Sequence, residues 1–308
     1  MATVCSDSVN RIKLLSLFII FSLLISCNSR NKETIPAQNV VVDALGNKFE
    51  FKQPPERVIT LAPNLTEMIY EVGAGQKLVG NTLFCNYPEK AKSVEKIGDM
   101  LTVDYEKIVS LQPDLIFITK EGNKKNIYQK LISLKFKVFV SDPKSFEDIK
   151  RTFLKIGKIF GKEKSAREKI KSWDSTVDSV KNEAKKLPTK SVMFLVSVKP
   201  IMLAGKNTFI NEILQICGFQ NIADSSQLRY PVFSREEIVK KNPDYIIMFE
   251  SKNLRAEAVK NAYPEWKELK AVKNNNIIFV DADLFARPGP RFFKAVKFLF
   301  GKRTAKYK

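Results

Sequence analysis

Two glutamates, Glu106 and Glu236, and one loop, Asp281-Ala282-Asp283-Leu284-Phe285-Ala286-Arg287-Pro288-Gly289-Pro290-Arg291, are the residues best placed to do chemistry. Each glutamate falls just inside an expected helix start, with Asp104 and Ser234 as N-caps and Ser234 to Glu237 spelling a capping box. A carboxylate there gains roughly 0.3–1 kcal/mol from the helix dipole, which is a purely local use. An exposed acid at the same place on two similar units can instead dock paired cations on a two-fold partner. The loop follows an expected strand, and parallel α/β folds line their ligand crevices with such loops. An acid and an arginine in that turn suit amides, carboxylates or phosphates, although Arg291 can equally cap a helix or pair with a nearby acid. The chain has no histidine, so the commonest zinc or haem ligand and general base is missing. Histidine-dependent catalysis is thereby excluded.

The glutamates belong to a signature that occurs twice, VDYEKIVSLQPDLIFI at 103–118 and FSREEIVKKNPDYIIM at 233–248. Without gaps, Glu106 falls on Glu236, Ile108-Val109 on Ile238-Val239, and Pro113-Asp114 on Pro243-Asp244. An offset of 130 residues is too long for a solenoid repeat and suits one unit per lobe, with a cleft between the lobes. A shorter correspondence, TEMIYEVG with NEILQICG, sets Glu67 against Glu212 and Gly73 against Gly218.

These residues need elements to hold them. An opening hairpin is expected around Leu45-Gly46-Asn47, followed by a strand at 57–61, a helix ending at Gly73, and a short strand at 78–80. A loop carrying Phe84, Cys85 and Tyr87 comes next, and after the first signature copy the pattern predicts a helix over 122–134, a strand over 136–140 and a helix over 145–160. Such alternation argues for a parallel α/β lobe. From Lys164 to Lys186 the apolar positions Ala166, Ile170, Trp173, Val177, Val180 and Ala184 recur every three or four residues, which predicts one helix of about six turns backing both lobes. The second lobe repeats the plan, with strands at 191–198 and 277–280 and helices at 209–218 and 292–300.

At the start, Arg11 and Lys13 precede an apolar run from Leu14 to Ile25, the pattern of a secretory signal and too short to span a bilayer comfortably. Leu24-Ile25-Ser26-Cys27 resembles the bacterial lipobox, which implies lipidation of Cys27 and a protein anchored in the cell envelope, facing the periplasm. The expected organisation is a signal at 1–26, lipidated cysteine and tether at 27–45, an N-terminal lobe at 46–163, a linking helix at 164–187 and a C-terminal lobe at 188–308. The 308 residues carry a formal charge of +19, and loss of residues 1–26 leaves +18. The lysines are scattered and no RNP, zinc-finger or basic-zipper pattern accompanies them, so no nucleic acid is expected and the surface reads as a solvated basic one beside an anionic membrane. Cys85 and Cys217 fall one in each lobe, and a disulfide between them would need α-carbons within about 7 Å.

RVITLAPNLTEMIYEVGAG, DYEKIVSLQPDLI, SREEIVKKNPDYII and DxxxRPGPR, taken in order over roughly residues 57–300, resemble the motifs of the solute receptors for vitamin B12, ferric siderophores and haem that serve bacterial ABC importers. The resemblance implies a binding domain over about 57–308, an α/β fold of two parallel-sheet lobes joined by one long rigid helix, and a monomer that is not an enzyme and carries no cofactor. It also implies an ABC permease dimer with its ATPase as partner, with Glu106 and Glu236 meeting permease arginines. Vitamin B12 receptors are the nearest in motif, and by that likeness Asp283 and Arg287 contact the corrin. Phe84 and Tyr230 keep the aromatic character of their ligand cage, whereas Met100, Thr119 and Met202 stand where they have aromatics; methionine packs adaptably on flat apolar faces. Their disulfide uses the cysteine matched by Cys217, and its partner position holds Phe300 here, so the last helix is expected to be held by packing. The implied function is a lipid-anchored receptor binding cobalamin against Phe84, Met100, Met202 and Tyr230, with a ferric siderophore or haem as alternative ligand. A two-lobed chelatase-like enzyme shares the architecture but usually wants a histidine.

Overall fold

The structure, a computed structural model, describes residues 40–250 and 263–305. The expected signal, Cys27 and most of the tether lie outside the described residues. The tether's expected end does not hold, because β1 (Val40–Val42), inside that stretch, already pairs antiparallel with β2 (Lys48–Glu50). Asp43 closes this hairpin by accepting from the backbone N–H groups of Leu45 and Asn47.

The N-terminal lobe continues through β3 (Val58–Thr60), α1 (Pro63–Glu71), β4 (Leu78–Asn81), α2 (Tyr105–Leu111), β5 (Leu115–Thr119), α3 (Lys125–Ser133), β6 (Val138–Ser141) and α4 (Phe146–Ile159). Its sheet runs β4-β3-β5-β6, every pair parallel. Parallel strands are covered on both faces, which explains why Leu115-Ile116-Phe117-Ile118 is uniformly apolar rather than alternating. Leu115 and Phe117 face one core, Ile116 and Ile118 the other, with the period of two that a strand imposes.

One helix, α5 (Glu163–Ala184), joins the lobes, and the long amphipathic helix read from the sequence is 22 residues in the structure. Its Trp173 ring lies 4.7 Å from that of Phe153 on α4 and 6.3 Å from that of Phe293 in the C-terminal lobe. The helix therefore seals both lobes with a single side chain, and the cluster containing Trp173, Val177 and Val180 runs unbroken from one lobe to the other.

The C-terminal lobe comprises β7 (Lys190–Ser197), β8 (Met202–Leu203), α6 (Phe209–Ile216), β9 (Phe219–Asn221), α7 (Arg235–Lys241), β10 (Tyr245–Phe249), α8 (Lys270–Lys273), β11 (Ile277–Val280), α9 (Ala282–Phe285) and α10 (Phe292–Thr304). Its parallel core is β11-β10-β7 with β9 also on β7, but β8 is antiparallel to β7, so this lobe departs from a purely parallel sheet at the strand that carries Met202. Among the described residues no helix is long and apolar enough to cross a membrane.

The repeated signature acquires a physical role in each lobe. Asp104 accepts from the backbone N–H of Lys107, and Ser234 and Glu237 form the reciprocal capping box. Both helices stop on a left-handed residue, Gln112 at φ 44° and Asn242 at φ 41°. The aspartate that follows then ties the turn to the neighbouring strand: Asp114 accepts from the N–H groups of Glu56 and Arg57, Asp244 from the N–H and hydroxyl of Ser191.

The final helix runs four residues beyond its expected end, and packing is not all that holds it. Arg303 is fully buried, donates to the carbonyls of Cys217 and Pro188, and lies 4.9 Å from the ring centroid of Phe219. Cys85 and Cys217 are both free and buried.

Candidate functional site

The two lobes face each other across a cleft at the carboxyl ends of their parallel strands, where loops converge by topology. A cavity of about 450 Å³ there is lined by Pro63, Asn64, Phe84, Met100, Thr119, Glu121, Gly122, Tyr230, Ala286, Arg287 and Pro288. A second of about 150 Å³ shares Glu121, Tyr230, Ala286 and Pro288 with it and adds Val196, Phe209, Ile210, Arg229 and Phe249. Together they form one cleft of the size of small-molecule sites.

Local structure sets each side chain. Thr119 ends β5, and Asn123 beyond it accepts from the Thr119 N–H while donating to the carbonyls of Leu61 and Met100, which pins the Met100 loop over the strand ends. A Cβ at Gly122 would overlap the Met100 side chain, so glycine is what lets the thioether lie there. Phe84 is 54% exposed and Tyr230 42%, both large apolar surfaces without cover. Glu121 of the N-terminal lobe forms an ion pair with Arg229 of the other lobe, and both side chains line the cleft.

Of the six side chains expected to contact ligand, Phe84, Met100, Tyr230 and Arg287 line the cavity, and Met202 and Asp283 do not. Met202 sits on antiparallel β8, paired with Ser197 and bridged to Val232. Asp283 is taken up by Arg287 at 2.5 Å and by the Asn86 amide at 2.6 Å. Arg287 itself donates to the Asn86 side chain at 2.8 Å and the Phe84 carbonyl at 3.1 Å, so its guanidinium joins the lobes while its side chain borders the cavity. Glu106 and Glu236 lie away from this cavity, exposed on the first turns of α2 and α7. The Glu236 carboxyl is held below its ordinary value by its own backbone N–H and by the Ser234 hydroxyl.

Beneath the cleft lies a joint that sequence reasoning passed over. Glu67 on α1, 2% exposed, receives two hydrogen bonds from Arg291, 2.8 and 2.6 Å, across the lobe boundary. Burial pushes the Glu67 carboxyl above its ordinary value even against the pull of Arg291 and Arg287. A second bond crosses the lobe boundary in the other direction, where Glu212 of α6 accepts from the Phe146 N–H of α4 at 2.6 Å, and burial raises it as well. The rings of Phe146, on α4, and Phe292, next to Arg291 in the chain, stack at 4.5 Å and add an apolar contact between the lobes. Tyr87 adds a clasp, with the Arg291 guanidinium 4.4 Å from its ring centroid and Lys294 5.5 Å. The signal was available, since Glu67 and Glu212 align between the repeats.

A family model described as periplasmic binding protein matches residues 58–284. An ABC transporter substrate-binding lipoprotein of Bacillus subtilis, YvrC, is 34% identical over 279 residues, covering 88% of this chain and 87% of its own. The crystal structure of the periplasmic vitamin B12 binding protein BtuF of Vibrio cholerae superposes with TM-score 0.71 at 28% identity, covering 83% of this chain and 99% of that one. A possible iron-binding, periplasmic solute-binding protein of Staphylococcus epidermidis gives TM-score 0.74 at 30% identity, covering 82% and 99%. All three are named as solute-binding proteins rather than as enzymes, and the two solved structures share the two-lobed α/β plan described above. The chain is a member of the periplasmic binding protein family.

Proposed function

We propose that this protein is a lipid-anchored receptor of an ABC importer that captures cobalamin in the inter-lobe cleft and hands it to the permease. The observation that carries this reading is the cavity of about 450 Å³ between the lobes, bordered by Phe84, Met100 and Tyr230. A flat, largely apolar ligand gains by covering these groups, at about 25 cal/mol per Å² of apolar area. Arg287 and Glu121 supply the polar edge. No covalent step is required, and the likeness to a vitamin B12 binding protein supports the ligand class. Anchoring follows from Cys27 in its lipobox context, and fractionation of a Cys27→Ser chain tests it: the variant is expected to leave the membrane fraction, and retention there would remove the anchor from the proposal. Glu106 and Glu236 are assigned to the two halves of the permease.

A ferric siderophore or haem is the second reading. It is favoured by the Glu121–Arg229 pair, because an anionic ligand can take the place of the glutamate at Arg229. Competition of cyanocobalamin against haem and ferric siderophores separates the two. Cobalamin displacing both supports the first reading, and failure of cobalamin to bind at high micromolar concentration removes it.

A further inference from the structure

We propose that Val109 and Val239 are the apolar half of a docking footprint carried once by each lobe, and that its occupant is a two-fold permease presenting a cation beside an apolar socket to each lobe. The inference rests on the docking role assigned above to Glu106 and Glu236. Val109 is 50% exposed and Val239 38%, while their neighbours Ile108 and Ile238 are completely buried. The isoleucine turns inward and the valine outward in both copies of the signature. Each valine follows its glutamate by three positions, which puts the two on one side of a helix. Both helices are seven residues long, start on an oxygen cap and stop on a left-handed residue, so acid and valine are presented in the same way by each lobe.

A single exposed valine needs no explanation. Two at equivalent positions, each beside a carboxylate that forms no ion pair among the described residues, fit a partner better than they fit solvent. Both acids are exposed, in ion pairs with no cation among the described residues, and so complement a cationic surface. Repetition on both lobes requires that surface to be repeated too.

The full-length chain in its own membranes tests this without reference to the ligand. A photoreactive side chain is placed in turn at positions 109, 239, 106, 236 and, as a control at another exposed valine, 42. Positions 109 and 239 are expected to capture the same ABC permease polypeptide and position 42 none of it. Val239→Asp and Val109→Asp are expected to lower capture from positions 106 and 236 respectively by roughly tenfold. Capture from 106 and 236 that is unaffected by either valine substitution overturns the apolar footprint and leaves the docking role standing. Capture from only one lobe overturns its two-fold character, and no capture from any of the four positions removes the docking role itself.

Discussion

Glu67 and Glu212 stand at matching places in the two repeats, and each reaches out of its own lobe to bind the other. Glu67 takes the Arg291 guanidinium, and Glu212 takes the first N–H of α4. Reciprocal bonds of this kind, together with the stacked Phe146 and Phe292, resist separation of the lobes. With one core running through α5, this predicts small lobe motion on ligand capture.

The two glutamates differ in what their loss leaves behind. Glu67→Ala strands Arg291, whose side chain is only 15% exposed, and removing one partner of a buried pair costs about 3–5 kcal/mol. Glu212→Ala leaves one backbone N–H unsatisfied, which costs about 1–3 kcal/mol. Urea unfolding of both variants checks the order; an equal or reversed ranking would show that the Arg291 pair is not the stronger joint.

Glu212 also gives the joint a pH dependence with a definite sign. Its carboxyl is raised above the ordinary 4.5, first by burial, with Asp148 and Glu147 adding to the rise while the Phe146 N–H and Lys150 oppose it. A raised carboxyl favours the protonated form on folding, so its contribution is fully present below 4.5 and is lost as pH rises through the folded value. Glu212→Gln keeps an acceptor for Phe146 and does not titrate. Its urea midpoint is therefore expected to gain on that of the parent chain between about pH 4 and about pH 7, and a constant difference would mean that Glu212 does not titrate differently on folding.

What could be read from the chain alone was local or repeated. Trp173 and its neighbours announced α5 through helical spacing, and the signature placed Asp104 and Ser234 as caps because capping is decided within four residues. Glu67 was visible as a repeat position, yet its partner Arg291 lies 224 residues away and no periodicity connects them. Asp283 and Arg287 stand out in the sequence as an acid and an arginine in one loop suited to a ligand, but Asn86 and the Phe84 carbonyl, which engage them, come from the other lobe. Met202 was displaced by a short antiparallel return that apolar patterning does not separate from a parallel strand. Arg303 reads in sequence as one cation of a basic tail; only the fold buries it beneath Cys217.

Phe84 and Arg287 are expected to separate binding from stability. Phe84 is more than half exposed, so Phe84→Ala removes cover for the ligand and costs about tenfold or more in affinity with unfolding nearly unchanged. Arg287→Ala loses bonds to Glu67, Asn86 and the Phe84 carbonyl and should lower both affinity and the unfolding midpoint. Calorimetric titration paired with thermal melts checks this. Parallel losses in both variants would place Phe84 in the scaffold rather than at the ligand.

Thiol chemistry reports on the closure of the C-terminal lobe. Burial pushes the Cys217 thiol up to about 12, outweighing the nearby Arg303 charge and the Phe300 backbone bond. Since the thiolate is the reactive form, Cys217 is inert near neutral pH by ionisation as well as by access. Cys85 is equally buried, against Thr66 and Thr82. A chain starting at residue 28, which retains every described element, is expected to show no maleimide-reactive thiol when folded and two in denaturant. Arg303→Leu abandons the carbonyls of Cys217 and Pro188, a loss of about 2 kcal/mol or more, and loosens α10 where it covers the sulfur. Cys217 should then label measurably faster than Cys85 in the folded variant. Equal rates for the two cysteines would show that packing of α10 shields the thiol without help from the buried arginine.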